Sequence, residues 1–350
     1  MITVTDLHKS YGRQHAVADL SFTVPDSTVT GFLGPNGAGK STTMRCILGL
    51  DRPTSGTVTF DGADFTALAD KPGTAGALLD ATWFTPARSG RSHLRVLARG
   101  AGIPDSRVEE CLEIVGLTDA AKKKVGGYSL GMKQRLGLAA ALLGDPKHLI
   151  LDEPVNGLDP EGVSWMRHTI RTLASQGRSV LVSSHLLSEM QLTADRLVVI
   201  GKGRMIGEYS MDEFLAGGAR VLVETPDARL TDTLATRLRD AGFTASFGLA
   251  DDTGGTDAGT TPLTVDIPEG STDAEVRRAV AEIALTARVP VTGLRAETAT
   301  LETRFLAATA DAQEYRTESA ISAISAISAI SATSATSATS AVPAAPAGKK

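Results

Sequence analysis

The chain has 350 residues, 42% of them apolar and 4% aromatic, enough for one large core and a second, smaller one. Its 35 Lys and Arg against 40 Asp and Glu leave a net charge of −5. That balance argues against a nucleic acid as main partner, since phosphate backbones are held by clustered positive charge. No stretch approaches the roughly 18 unbroken apolar residues of a membrane span, and the first residues lack the basic-then-apolar pattern of an export signal. Cys46 and Cys111 have no metal-binding spacing and read as two reduced core thiols, so a cytosolic compartment is expected.

Residues 1–32 alternate apolar and polar positions, with turns at Gly12 and at Pro25 and Asp26, which predicts a small antiparallel sheet feeding a strand over 28–33. A glycine-rich segment, 34–39, precedes a helix from about 40 to 50, and 57–61 reads as a strand. Residues 87–145 lack strand signals and read as mostly helical, broken around 100–104 and at Gly116. Strands return at 148–152 and 179–184 with a helix over 161–176 between them, and a final pair fits 196–200 and 204–208. This alternation predicts a mainly parallel sheet covered on both faces.

A second unit spans roughly 215–309. Strands are expected at 220–224 and 263–267, helices at 231–241 and 273–287, and a Gly/Asp/Thr-rich loop at 248–261. The order suggests a small α+β domain of ferredoxin-like character. From about 317 the chain becomes Ile-Ser-Ala and Ser-Ala-Thr repeats without core-forming periodicity. Disorder is expected there, with a partner or membrane helix as the alternative.

Gly34-Pro35-Asn36-Gly37-Ala38-Gly39-Lys40-Ser41-Thr42 matches the phosphate-binding loop pattern in full, between an expected strand and an expected helix. Its glycines let backbone N–H groups approach phosphate oxygens, and the helix start adds a positive dipole end. Lys40 suits the terminal phosphates and the Ser41 hydroxyl suits Mg²⁺. Asp152 ends an apolar strand where a carboxylate would hold that Mg²⁺ through water. Glu153, next along and pointing the other way, suits a general base for water attacking the γ-phosphate. His185 follows a parallel strand and lands on the same sheet edge, within reach of the γ-phosphate.

Ser129 reads as a helix N-cap, and the helix start it opens also reads as a second anion site. Two phosphate-type sites are hard to aim at one nucleotide within one chain, and that difficulty disappears if two copies face each other. Tyr11, before Gly12, is either a base-stacking ring or a half-buried turn aromatic. Trp83 and Phe84 read equally as core or as a partner surface.

These residues, over about 2–210, resemble the ATP-binding subunits of ABC transporters. The resemblance implies Tyr11 as the adenine-stacking aromatic, 34–42 as Walker A and Tyr128-Ser129-Leu130-Gly131-Met132 as the signature. It further implies 149–153 as Walker B, Gly157-Leu158-Asp159 as the D-loop and His185 as the switch histidine. In that family ATP is sandwiched between Walker A of one subunit and the signature of the other, so Ser129 and Gly131 would meet the partner's phosphate. Asp159 would couple the two sites. Leu130 and Met132 depart from the commoner Leu-Ser-Gly-Gly-Gln signature, and Asp80 falls where a Gln is usual in the Q-loop. There Asp80 could meet Mg²⁺ or the attacking water. These variants, with Ala299-Thr300-Leu301-Glu302-Thr303-Arg304-Phe305-Leu306 near the end, look like the branch that exports drugs, bacteriocins or lantibiotics.

The resemblance therefore implies an ABC-type P-loop domain over 1–213 with a helical subdomain at about 87–145, a small α+β domain over 214–310 and a tail over 311–350. The implied function is an ATPase that uses ATP and Mg²⁺, dimerises, lies on the cytoplasmic face of the membrane and drives a separate transmembrane permease. Nucleic acid is not expected as a partner. The alternatives are a non-transport ATPase of the same fold acting on ribosomes or nucleic acid, and a self-immunity protein that binds the drug itself.

Overall fold

A computed structural model describes residues 1–80, 83–216, 220–247, 262–268, 271–297 and 301–309. Strands β1 (Ile2–Tyr11) and β2 (Gln14–Val24) form an antiparallel hairpin, turned by Gly12 at φ 60°. β3 (Val29–Leu33) is buried at every position, as a strand covered on both faces must be. It leads through the glycine-rich segment into α1 (Lys40–Ile47). That helix stops before the expected residue 50 because Gly49, at φ 65°, takes the left-handed conformation that ends helices. β4 (Ser55–Phe60) and β5 (Ala63–Asp64) complete an antiparallel sheet of order β2-β1-β4-β5.

Next come α2 (Lys71–Thr74) and β6 (Ala75–Leu78), then three helices, α3 (Gly90–Gly100), α4 (Asp105–Ile114) and α5 (Leu130–Ala141). The chain continues through β7 (His148–Leu151), α6 (Pro160–Ser175), β8 (Ser179–Ser183), α7 (Leu187–Thr193), β9 (Arg196–Gly201) and β10 (Arg204–Ser210). The resulting six-stranded sheet has the order β10-β9-β3-β8-β7-β6 and is parallel except for β10. β6 was not expected as a strand. Ala-Gly-Ala-Leu carries little β-propensity, and its glycine is there for clearance: a Cβ on Gly76 would sit 2.0 Å from the Ala141 carbonyl oxygen.

Strand periodicity divides the core in two. Leu149 and Leu151 of β7 and Val180 and Val182 of β8 face the helices, packing with Leu94, Leu112, Leu136 and Met166. Ile150 and Leu181 face the opposite way, into Ile2, Phe22, Phe32, Met44 and Phe60 under the antiparallel sheet. At the amino-terminal edge of the parallel strands, buried His148 lies 3.1 Å from Ser179 Oγ and 3.2 Å from Asp61 Oδ2, and Lys147 Nζ donates to the same carboxylate at 3.0 Å.

The chain then enters α8 (Met211–Ala216), β11 (Arg220–Glu224), α9 (Ala228–Asp240), β12 (Ala245–Phe247), β13 (Leu263–Asp266), α10 (Asp273–Thr286), β14 (Gly293–Glu297) and α11 (Leu301–Thr309). The sheet order β12-β13-β11-β14, antiparallel throughout, with β-α-β-β-α-β connectivity, is the ferredoxin-like arrangement. Its own core joins Val221, Val223, Leu263 and Val265 to Leu234, Leu238, Val276 and Val280. β12 and β14 were not expected from sequence. α8 spans the expected junction at 213/214, and α11 returns to the first core, where Leu301 is fully buried and Phe305 nearly so. The tail expected over 311–350 lies outside the described residues.

Candidate active site

The carboxyl ends of β3, β8, β7 and β6 lie side by side, the edge where ligands bind in open α/β sheets. The residues that follow these strands are the glycine-rich segment, His185, the Asp152–Glu153 pair and Asp80.

Between β3 and α1 the backbone must double back. Gly37 (φ 80°) and Gly39 (φ 102°) adopt left-handed conformations that a side chain would resist. Gly34 and Gly39 also lack room: a Cβ would sit 2.6 Å from the Ile200 carbonyl oxygen and 2.5 Å from that of Ala16. Asn36 and Gly37 are exposed at the loop tip, Ala38 is buried, and Thr42 is half-buried. Lys40 is buried, and its Nζ donates to the carbonyl oxygens of Gly34 (2.6 Å) and Pro35 (3.2 Å). Burial lowers its pKa, with Glu153 and Asp152 pulling the other way. An ammonium so placed still has a third N–H for an anion in the loop.

Ser41 Oγ donates to Asp152 Oδ2 at 2.6 Å, and the buried Ser183 hydroxyl donates to Asp152 Oδ1. The Asp152 amide donates to the Leu78 carbonyl at 2.7 Å, which fixes the turn out of β7. Glu153 stands at φ 50°, left-handed for a non-glycine residue, with its amide donating to Ser183 Oγ at 2.9 Å. Its carboxylate accepts from the His185 amide (3.2 Å) and from His185 Nδ1 (2.6 Å). The contact through Nδ1 leaves Nε2 of the half-exposed His185 ring turned away from that carboxylate. Adjacent carboxylates thus leave β7 in opposite directions, one to a hydroxyl of the loop helix and one to an imidazole.

Among the described residues no group of three or more His, Cys, Asp or Glu forms a metal cage. A hydroxyl and a carboxylate in contact offer two hard oxygen donors, the partial set that Mg²⁺ completes with phosphate oxygens and water. Asp80 lies just past β6, where Leu78 pairs with Leu151, and so stands on the same edge.

Tyr11 is half-exposed. Its hydroxyl donates to Asp51 Oδ2 at 2.9 Å, and Lys9 Nζ lies 4.8 Å from the ring centroid. Asp51 is itself held by Arg45 of α1 through Nε (2.8 Å) and Nη2 (3.1 Å), which hooks the ring to the helix that starts at Lys40.

Ser129 and Asp159 do not join this cluster. Ser129 caps α5 through the Met132 amide (3.2 Å), and Asp159 caps α6 through the Gly162 amide (3.0 Å). Gly131 lies in the first turn of α5, against Leu158. Trp83 and Phe84 part company: Trp83 is 62% exposed, whereas Phe84 packs edge-on against buried His93 at 4.9 Å.

Sequence reasoning missed Ser183, the shared anchor of the Asp152 carboxylate and the Glu153 amide, although a serine pair closing an apolar strand just before His185 was a visible cue. It also missed Asp51, Arg45 and the buried Gln134, whose contacts no local pattern encodes.

Residues 17–156 match the sequence profile described as ABC transporter. The chain is 43% identical over 215 residues to the bacitracin transport ATP-binding protein BcrA of Bacillus licheniformis, covering 61% of this chain and 70% of that one. It is 38% identical over 239 residues to the daunorubicin resistance ATP-binding protein DrrA3 of Streptomyces coeruleorubidus, covering 65% and 74%. Among solved structures, an ATP-binding subunit of an ABC transporter superposes with a TM-score of 0.56 at 26% identity, over 61% of this chain and 91% of that one.

Proposed function

The chain belongs to the ATP-binding proteins of ABC transporters, and from that premise we propose that it is the ATPase subunit of an export complex whose cargo is a drug, antibiotic or peptide. The observation that carries the chemistry is the divergence of Asp152 and Glu153, to Ser41 and His185 respectively, beside the loop that houses Lys40.

In this reading the backbone of Asn36, Gly37, Ala38, Gly39 and Thr42 and the Lys40 ammonium hold the triphosphate, and the Tyr11 ring stacks on adenine. Ser41 and Asp152 would hold Mg²⁺, which would offset phosphate charge, and Asp80 would support the metal or the water. Glu153 accepts a proton from water as its oxygen bonds to the γ-phosphorus and the bond to the leaving ADP oxygen breaks. His185, oriented by Glu153, hydrogen-bonds a γ-phosphate oxygen through Nε2 and holds the attacking water.

Ser129 and Gly131 serve the nucleotide of a second copy, and Asp159 couples the two sites. What supports this reading is a helix start at which Ser129 is exposed and bonded only locally, to the Met132 amide, among the described residues. Binding of two ATP molecules closes the pair and hydrolysis reopens it, moving a separate permease. Among the described residues no helix is long and apolar enough to cross a membrane, and the proposed location is the cytoplasmic face, against that permease. The proposed division is an ATPase domain over 1–213, an α+β domain over 214–310 whose flanking helices α8 and α11 pack on the ATPase core, and a tail.

Glu153→Gln tests it. The variant should bind ATP and Mg²⁺, turn over at least about 100-fold more slowly and run at twice the monomer mass in ATP on size exclusion. Normal turnover would remove Glu153 as the base.

A further inference from the structure

The segment 117–127, between α4 and α5, carries three consecutive lysines, Lys122, Lys123 and Lys124, all exposed. Backbone hydrogen bonds clamp it to the segment that leads into α3. The Val125 and Gly126 amides donate to the Arg88 and Pro86 carbonyls at 2.8 and 2.9 Å, and the Arg91 amide donates to the Ala121 carbonyl at 2.9 Å. An antiparallel bridge joins Lys124 to Ser89, so the lysines lie alongside exposed Arg88. Arg88 is near His93, whose pKa is lowered chiefly by burial and then by that guanidinium. Phe84 packs on His93, and Trp83, 62% exposed, is its neighbour in the chain. Four cations and an indole therefore share one stretch of surface.

Two contrasts set this surface apart. The arginines along α3 are neutralised: Arg91 and Arg95 pair with Glu109 at 2.9 and 3.3 Å, and Arg99 pairs with Asp105 at 2.9 Å. Lys122, Lys123, Lys124 and Arg88 have no ion pair among the described residues, and Asp119 is the one carboxylate in 83–91 and 117–127 together. The chain as a whole carries a net charge of −5, so the patch has the opposite sign to the rest. We propose that this face binds the anionic headgroups of a lipid bilayer directly, with the four cations against lipid phosphates and the Trp83 ring at headgroup depth. Lysine is a flexible, hydrated point charge suited to a diffuse layer of phosphates, and its long stem lets the ammonium reach the headgroups. An indole standing out beside such cations suits a boundary that is wet on one side and apolar on the other. The acidic remainder of the chain is repelled by the same lipids, so the patch orients the molecule as well as holding it. This contact goes beyond the function proposed above, because the chain makes it without a permease.

The test is sedimentation of the full-length protein with phosphatidylcholine vesicles that contain or lack phosphatidylglycerol, with no other protein present. The protein should bind the anionic vesicles and ignore the neutral ones. Binding should fade with salt, as the Debye length shortens from about 10 Å at 0.1 M to about 3 Å at 1 M. A variant combining Lys122→Ser, Lys123→Ser and Lys124→Ser should bind the anionic vesicles about 100-fold more weakly, with melting temperature and ATP hydrolysis in solution unchanged. Tryptophan emission should move to shorter wavelength on adding anionic vesicles, and Trp83→Phe should abolish that shift. Equal binding to both vesicle types, undiminished binding by the triple variant or an unshifted emission overturns the inference. So does binding to soluble polyglutamate without binding to vesicles, which would assign the patch to an acidic protein segment. None of these results bears on Glu153, whose Gln variant tests the proposed function separately.

Discussion

Ser183→Ala removes one oxygen that serves two carboxylate-bearing residues at once. The hydroxyl is fully buried, donates to Asp152 Oδ1 and accepts from the Glu153 amide at 2.9 Å. Losing a hydrogen bond to a charged group costs about 1.5–3 kcal/mol, and stranding an amide N–H costs about 1–3 kcal/mol. Asp152 is half-buried and water recovers part of the first term, so a destabilisation of about 3 kcal/mol is expected. The Glu153 backbone, already at φ 50°, also loses the bond that helps hold it there, and kcat should fall about 30-fold. Urea unfolding without nucleotide reads the first effect, and ATP hydrolysis at saturating ATP reads the second. Ser184→Ala is the comparison: that hydroxyl accepts the Leu186 amide at 3.0 Å, and its loss should cost about 1 kcal/mol. A Ser183→Ala protein within about 0.5 kcal/mol of the unmodified one, or less damaged than Ser184→Ala, would refute the shared-anchor argument.

Lys40→Ala should abolish nucleotide binding in equilibrium titrations, and retained affinity would remove the loop as the triphosphate site. Tyr11→Phe keeps the ring but loses the Asp51 tether, and should raise KM for ATP about threefold with kcat unchanged; an unchanged KM would show that the ring is held by other contacts. Asp61→Asn tests the opposite edge of the sheet. Burial raises the Asp61 carboxyl, but hydrogen bonds from the chain amino terminus, Lys147 and His148 outweigh it and bring it to about 2. Folded below unfolded means stability present above the ordinary value of 3.8 and lost as pH falls toward 2. Its side chain is 45% exposed, so solvent screening limits the contribution to about 1 kcal/mol. Burial lowers His148, which adds acid sensitivity of the same sign beginning near the ordinary histidine value of 6.5. Melts of Asp61→Asn and the unmodified protein should therefore differ at pH 7 and converge near pH 2; a gap that widens in acid would contradict this.

The phosphate-binding loop was legible because its chemistry is written in consecutive residues whose backbone geometry follows from glycine placement. Asp152, Glu153 and His185 were legible once their strands were, since parallel strands deliver their carboxyl ends to one edge. Ser183 was not, because its role depends on the register that pairs Leu151 with Val182, and register is a property of the assembled sheet. Tyr11 was legible as an aromatic in a turn, whereas Asp51 and Arg45, which fix its angle, lie far away in sequence. β6 was hidden by a composition chosen for clearance under α5, and β12 by its three-residue length. The ferredoxin-like topology showed through two strands and two helices because their order alone nearly dictates how the remaining strands must pair.

α8 and α11 pack against each other: Arg304 Nε donates to the Phe214 carbonyl at 3.0 Å, and its guanidinium lies 5.3 Å from the Phe214 ring. The described chain therefore leaves and re-enters the ATPase core at one place, with β11 to β14 inserted between the two helices as one long loop. Closing such a loop costs entropy that grows only slowly with its length, so the fold tolerates a large cargo there. Both ends are tied, so exchanging the insert for a short bridge should leave the core's melting temperature unchanged. Cutting the chain once before α11 would instead strip Leu301 and Phe305 from the core and uncover α7, the helix that begins just past His185.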